Sequence, residues 1–378
     1  MTADIFPVET LERLNRQDGV DTRPILVRVL TDLFVQKPEH TAQEVGRYEE
    51  LAGQLLDVVD VESRAAVARK LANDPRAPRK LIDRLIADVE PVSTPILAYF
   101  ADAPRVKLLA VALEGGPLDA AAVASRADID DELARMLAHH QDDLVLETLA
   151  ANPAAALRDG PLQSLVERAV GAPALAAVLL RRDDIDAAAL APLYRQAGPD
   201  RRAAIREALA ARPPRLSTAA RTVRNAEALS EMLATLDAGP GQAEAIAEAL
   251  ADALALKPDE AARLATEASG EPFVMMLRAA GVSDEMIVRA LLIAQPEIAQ
   301  SVVRFFGLVE IAEATPRAAA AELVFALAGM PIRAAAPRHE PAFEPLTTPD
   351  RAGAARTAAA SGRRAVDRDR QEAARRRG

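Results

Sequence analysis

Apolar residues recur along this chain at helical spacing in short blocks, and the blocks are cut by proline. From Pro24, well placed as a first helical residue, Ile25, Leu26, Val29, Leu30, Leu33 and Phe34 fall on one helical face. A second helix opens at Thr41, whose hydroxyl can cap it while Glu44 reaches back, and it continues through Tyr48, Leu51, Leu55 and Leu56. Residues 1–60 read as three helices that cap one end of the remaining chain.

Beyond Val61 the pentapeptide Leu-Ala-x-x-Pro marks the blocks at Leu71–Pro75, Leu149–Pro153 and Leu209–Pro213. Val67, Ala68 and Leu71 lead into the first copy, where Pro75 stops the helix and pushes Asp74 out of helical geometry. Pro78 then opens a helix with Leu81, Ile82, Leu85 and Ile86 inside. The second copy follows Leu144, Val145 and Leu149, and Gly160-Pro161 opens Leu162, Leu165, Val166 and Val170. The third follows Ile205 and Leu209, with Ser217 placed to cap the next helix. Thr94-Pro95 is expected to open a short piece from Ile96 to Phe100, and Ile185 to Tyr194 forms another. Helices this short are unstable alone and must stack to bury their apolar faces. The first two copies lie 78 residues apart and the next two 60, so intervening units have lost the mark. The pattern predicts a degenerate array of helix pairs of roughly 30 to 45 residues each.

After about residue 215 proline thins, and Phe273, Met275, Met276, Met286, Phe305, Phe306 and Phe325 bring back larger side chains. Glu271-Pro272 starts one helix, Gly281 ends it, and Ser283 with Asp284 and Glu285 caps the next. The expected fold is all-α: capping helices over 1–60, a HEAT-like helical repeat array (α-solenoid) over 61–215 and a second helical bundle over 216–330. A Pro/Ala/Arg-rich tail over 331–378 has too few large apolar residues to order itself.

Composition narrows the chemistry. Aromatics are 3 % and Trp is absent, so the core is built from Ala, Leu, Val and Ile with closely spaced helices. Zero cysteines exclude disulfides, a thiol nucleophile and Cys-based metal sites, and fit a cytoplasmic protein. Met1 to Glu12 lacks the apolar run of a secretory signal, and no apolar stretch is long enough to span a bilayer. The net charge is −10, yet residues beyond Met330 hold eleven Arg against six acids, which leaves −15 for the first 330. An acidic body repels nucleic-acid phosphates.

No candidate chemistry survives a test of spacing. His139 and His140 are adjacent, so their side chains diverge on a helix, and they fall where a turn between units is expected. Asp128, Asp130, Asp131 and Glu132, and again Asp183, Asp184 and Asp186, lack the glycine of a calcium loop. Arg126-Ala-Asp-Ile-Asp and Arg182-Asp-Asp-Ile-Asp instead mark one structural position in two repeats, with Asp as a helix cap. Gly239-Pro240-Gly241 matches no phosphate loop. No catalytic, cofactor-binding or metal-binding residues are expected, and no cofactor.

The stretch AAVARKLANDPRAPRKLIDRLI, ending at Ile86, and the later pieces RADIDDELARML, ETLAANPAA and RRDDIDAAAL resemble the alphaproteobacterial proteins grouped as domain of unknown function 2336. The likeness covers residues 25–330. It implies an all-helical protein with HEAT-like repeats and no catalytic residues to carry over; the Leu-Ala-x-Asn-Pro mark is also similar to leucine-rich-variant repeats. The expected function is a non-enzymatic protein-interaction scaffold or regulatory adaptor whose partner is another protein or peptide. The alternative is nucleic-acid binding through Arg201, Arg202, Arg206, Arg212, Arg215, Arg221 and Arg224, with help from the Arg-rich tail.

Overall fold

The prolines that punctuate the sequence separate short helices in the computed structural model, which describes residues 21–213, 226–237 and 241–330. The first eleven are α1 (Arg23–Gln36), α2 (Ala42–Leu56), α3 (Val61–Leu71), α4 (Arg79–Ile86), α5 (Glu90–Tyr99), α6 (Arg105–Glu114), α7 (Pro117–Ala124), α8 (Asp131–Leu137), α9 (Asp143–Ala151), α10 (Asp159–Ala169) and α11 (Pro173–Leu180). A 3₁₀ segment (Ala187–Gln196) leads to α12 (Pro199–Ala211). Then come α13 (Ala226–Thr235), α14 (Gln242–Leu254), α15 (Pro258–Ala265), α16 (Glu271–Ala280), α17 (Asp284–Ala294), α18 (Pro296–Ala299), α19 (Val302–Ala314) and α20 (Arg317–Leu327). All regular structure among the described residues is helical.

Each odd helix from α1 to α11 packs on the next odd helix, and the row passes through the 3₁₀ segment to α20 and α16. The even helices flank it: α2 on α4, α6 on α8, α8 on α10. Leu71, Leu97, Val123, Leu149 and Leu179 sit at matching places in α3, α5, α7, α9 and α11, and none is exposed to solvent. Burying each such side chain contributes about 2 kcal/mol. Helices α3, α5, α7, α9 and α11 begin at 61, 90, 117, 143 and 173, so the units are 29, 27, 26 and 30 residues long. The expected 30 to 45 was too long because the helices are short and the turns tight. Leu71 and Leu149 lie three units apart, with α5 and α7 as the unmarked ones between.

Several local expectations hold. Thr41 and Glu44 form the reciprocal capping box of α2, and Gly281 ends α16 in the left-handed region (φ 82°). Others are corrected. Pro95 does not open a helix but lies inside α5, which starts at Glu90. Thr94 and Ser93 hydroxyls bond the Glu90 carbonyl at 2.5 and 3.4 Å, giving the first turn of α5 side-chain bonds ahead of the proline. On α1 the buried face is Val27, Leu30, Thr31 and Phe34, while Ile25, Val29 and Leu33 are exposed. Ser283 stands at the N-cap of α17 without a side-chain capping bond. Ser217 and the residues beyond Met330 lie outside the described residues, and so does the boundary expected near residue 215. Described residues on both sides of it belong to one compact unit.

A polar side chain at the end of an odd helix ties most steps of the row together. Helix C-termini leave carbonyls without partners, and the next unit supplies them. Arg76, paired with buried Asp74, donates to the carbonyls of Val35 in the last turn of α1 and of Lys37 and Pro38 just after it, at 3.0, 2.5 and 2.6 Å. Arg126 reaches Leu97 and Phe100 at the end of α5 at 2.7 and 3.0 Å, and holds Asp128. Asn152 donates to Ala124 and Arg126 after α7 at 2.8 and 2.7 Å. Arg182 donates to Ala150 in the last turn of α9 and to Asn152 and Ala155 after it, at 3.1, 3.0 and 2.9 Å, and holds Asp184. Arg126 and Arg182 therefore occupy the equivalent position expected of them.

Candidate functional site

Of the seven arginines proposed as a basic surface, four are described, and their charge is spent within the fold. Arg201 donates to the Arg182 carbonyl at 2.6 Å and lies 3.8 Å from Asp183. Arg212 pairs with Asp186. Arg202 and Arg206, one turn apart on α12, come together on Glu271 at the first turn of α16: Arg206 Nη1 at 2.9 Å and Arg202 Nη1 at 3.5 Å. Arg202 also reaches Glu267 at 4.0 Å and donates to the carbonyls of Tyr194, Ala197 and Arg195. Arg215, Arg221 and Arg224 lie outside the described residues.

Tyr194 stands at the centre of this cluster with no exposed surface. Its hydroxyl donates to Glu271 and accepts from Arg206 Nη1 at 2.5 Å. The guanidinium carbons of Arg202 and Arg206 lie 5.4 and 6.0 Å from its ring centroid, within cation–π range. Burial, reinforced by the Glu271 charge, pushes the phenol well above its ordinary acidity range, so it stays protonated at neutral pH. The cluster joins α12 and the 3₁₀ segment to α16, with Glu271 where the helix dipole favours a carboxylate. Sequence reasoning read Glu271 only as a helix start. The only signal available was the i, i+4 spacing of Arg202 and Arg206, which puts two cations on one helix face without naming what lies opposite.

The other candidates resolve into local structure. His139 is exposed in the turn after α8, and His140 Nδ1 accepts the Asp142 amide at 3.0 Å. Asp130 caps α8 and Asp186 caps the 3₁₀ segment, as expected of them. Hydrogen bonding to Arg182 holds the Asp184 carboxyl below its ordinary range, and Arg105 does the same for Asp130. Among the described residues no group of His, Asp or Glu is arranged to hold a metal ion. A shallow depression is lined by Arg84, Ala87, Asp88 and Val89. Its Asp88 is paired with Arg64 at 2.8 Å; burial raises the Asp88 pKa, and the bonds from Arg64 and the Val89 amide lower it further than that.

The feature left over is an edge. Val61, Val89, Leu118 and Leu144 stand at or beside the starts of α3, α5, α7 and α9, and each is 40–51 % exposed. Consecutive odd helices align there. Arg28 of α1 meets Ser63 and Glu62 of α3, Arg64 of α3 meets Asp88, and Ser93 and Thr94 of α5 both bond Asp119 of α7. The aliphatics therefore recur once per unit on the rim formed by the helix N-termini, as the cap residue (Val89), the first helical residue (Val61) or the second (Leu118 and Leu144), among the acidic groups that favour helix N-termini.

Short helix pairs stacked in a row, with polar residues closing the helix ends, define an all-helical protein built from repeated units. Residues 92–304, more than half of the chain, match the family described as uncharacterised protein conserved in bacteria (DUF2336), and the chain belongs to that family. No curated protein and no solved structure matches it. Among the described residues no helix is long and apolar enough to cross a membrane.

Proposed function

We propose that the protein is a non-enzymatic interaction scaffold or regulatory adaptor of the cytoplasm, in which a HEAT-like stack of helices holds another protein or peptide. The observation that carries this reading is the rim of Val61, Val89, Leu118 and Leu144. Single exposed aliphatics are ordinary on any surface, but one within the first turn or cap of each of four successive units gives a partner a recurring apolar foothold. Purification of the tagged full chain from its own host at moderate salt, beside the Val89→Glu, Leu118→Glu, Leu144→Glu triple variant, tests it. Partners held by the native chain should be lost from the triple variant while its fold is kept. The same partners on both would remove the rim, and none above background together with turnover of a small molecule would sink the scaffold.

Nucleic-acid binding remains the second reading for Arg201–Arg224 and the Arg-rich tail. The inward pairing of Arg202 and Arg206 counts against it. Titration with mixed DNA and RNA as salt rises would revive it if binding fell steeply, as contacts to several phosphates require.

A further inference from the structure

Helix α19 has two faces with the same period. Phe305, Leu308 and Ala312 are buried against α16, α17 and α18, while Val303, Phe306 and Glu310 face solvent. Val303 is 84 % exposed and Phe306 63 %, beside the equally bare Val302. Phe306 is not loose: its ring meets Phe305 edge-on, centroids 5.6 Å apart at 89°, so a buried aromatic holds an exposed one in place. A preordered apolar anchor of this kind loses little entropy on docking.

We propose that α19 is the contact surface of a symmetric dimer, in which it crosses its own copy antiparallel at Gly307. The patch carries its own complement. Arg304 lies three residues before Gly307 and Glu310 three after, both exposed, so a two-fold axis at Gly307 sets Arg304 of each copy against Glu310 of the other. Arg304 keeps one bond to the Ala268 carbonyl at 2.7 Å and has further N–H groups to offer. A Cβ built at Gly307 meets nothing within 4 Å, which leaves a notch where the two backbones approach while Val303 and Phe306 pack on either side. Val302, Val303 and Phe306 present on the order of 350 Å² of apolar surface per copy, within the range of a monomer's functional patch. With the flanking polar residues a dimer covers about 1,200 Å² in all, the low end for specific interfaces, so it should dissociate on dilution.

Sedimentation velocity of the full chain over about 1–100 μM tests this. The native chain should shift from monomer to dimer as concentration rises. Phe306→Glu and Gly307→Lys should each keep it monomeric, the latter with unchanged or higher thermal stability because lysine is the better helix former. Arg304→Glu and Glu310→Arg should each weaken the dimer, and the two together should restore it. A native chain that stays monomeric throughout, or a dimer that survives Phe306→Glu and Gly307→Lys, overturns the proposal; singles that weaken without rescue overturn the antiparallel crossing. Rim substitutions at Val89, Leu118 and Leu144 should leave the mass unchanged, so failure of the dimer and of the scaffold reading are separable.

Discussion

Replacing Arg182 by methionine, with Arg126→Met beside it, measures how much the stack depends on its buried arginines. Methionine keeps the length of the aliphatic stem and removes only the guanidinium. In Arg182→Met the carbonyls of Ala150, Asn152 and Ala155 lose donors at 3.1, 3.0 and 2.9 Å, and Asp184 loses a two-point partner. Hydrogen bonds from a charged donor contribute about 1.5–3 kcal/mol each, but the three share one side chain and are not additive. Arg182 is 9 % exposed, so some water can replace it, and Asp184 is solvated once released. The expected loss is about 3 kcal/mol, and slightly more for Arg126, which is only 2 % exposed. Because each arginine joins one unit to the next, its loss should also split cooperativity: urea unfolding followed by far-UV circular dichroism should broaden or become biphasic. Arg105→Met is the control, since that residue bonds Asp130 and Glu132 from a half-exposed position and should cost less than about 1 kcal/mol. If Arg182→Met and Arg126→Met behave like Arg105→Met, the arginines do not hold the units together, and the account of the turns is wrong.

Other expectations rest on single sites. Tyr194→Phe removes a hydroxyl but leaves Arg206 bonded to Glu271, so it should cost about 1 kcal/mol, whereas Glu271→Gln takes from Arg206 its carboxylate and from Arg202 one of two, and should cost about 3 kcal/mol by the same urea titration. Equal losses would mean that the carboxylate does not organise the cluster. Gly270 sits at φ 76°, and a Cβ there would meet Ile298 and Leu308 side chains at 2.5 and 2.8 Å, so Gly270→Ala should lower thermal stability by more than about 1 kcal/mol. Asp74, Asp88, Asp130 and Asp184 all ionise more readily folded than unfolded, where the ordinary value is 3.8. The unfolded chain therefore binds more protons in acid, and the melting temperature should be level down to about pH 5 and fall below pH 4 as each carboxylate protonates. A midpoint that rises on acidification would contradict these pairings.

Much of the architecture was legible in local signals. Thr41 with Glu44, Pro78 before Leu81, and Gly281 after α16 act through neighbouring backbone, so spacing alone reveals them. Length of the unit was not legible, because the Leu-Ala-x-x-Pro mark survives only at intervals and α5 and α7 end without it. The face of α1 was misjudged for a related reason. Ile25, Val29 and Leu33 satisfy helical spacing as well as Val27, Leu30 and Phe34 do, and only packing on α2 and α3 chooses between them. For the candidate site the failure was of a different kind. An arginine's role depends on which carbonyls or carboxylates lie within reach, and the carbonyls that Arg182 holds are 27 to 32 residues away while the Glu271 partner of Arg206 is 65 away.

That dependence bears on what the protein can bind. The body has an excess of acid, and five of its arginines are committed within the stack, on helix ends in the case of Arg76, Arg126 and Arg182 and on Glu271 in the case of Arg202 and Arg206. Those five cations are therefore not offered to a partner. The rim of Val61, Val89, Leu118 and Leu144 runs between helix N-termini bearing Glu62, Glu90, Asp119 and Asp143. A segment that alternates aliphatic with basic side chains fits such a rim, and an acidic one is repelled. If the partner found by co-purification docks through an acidic, polar stretch, the rim is not where it binds.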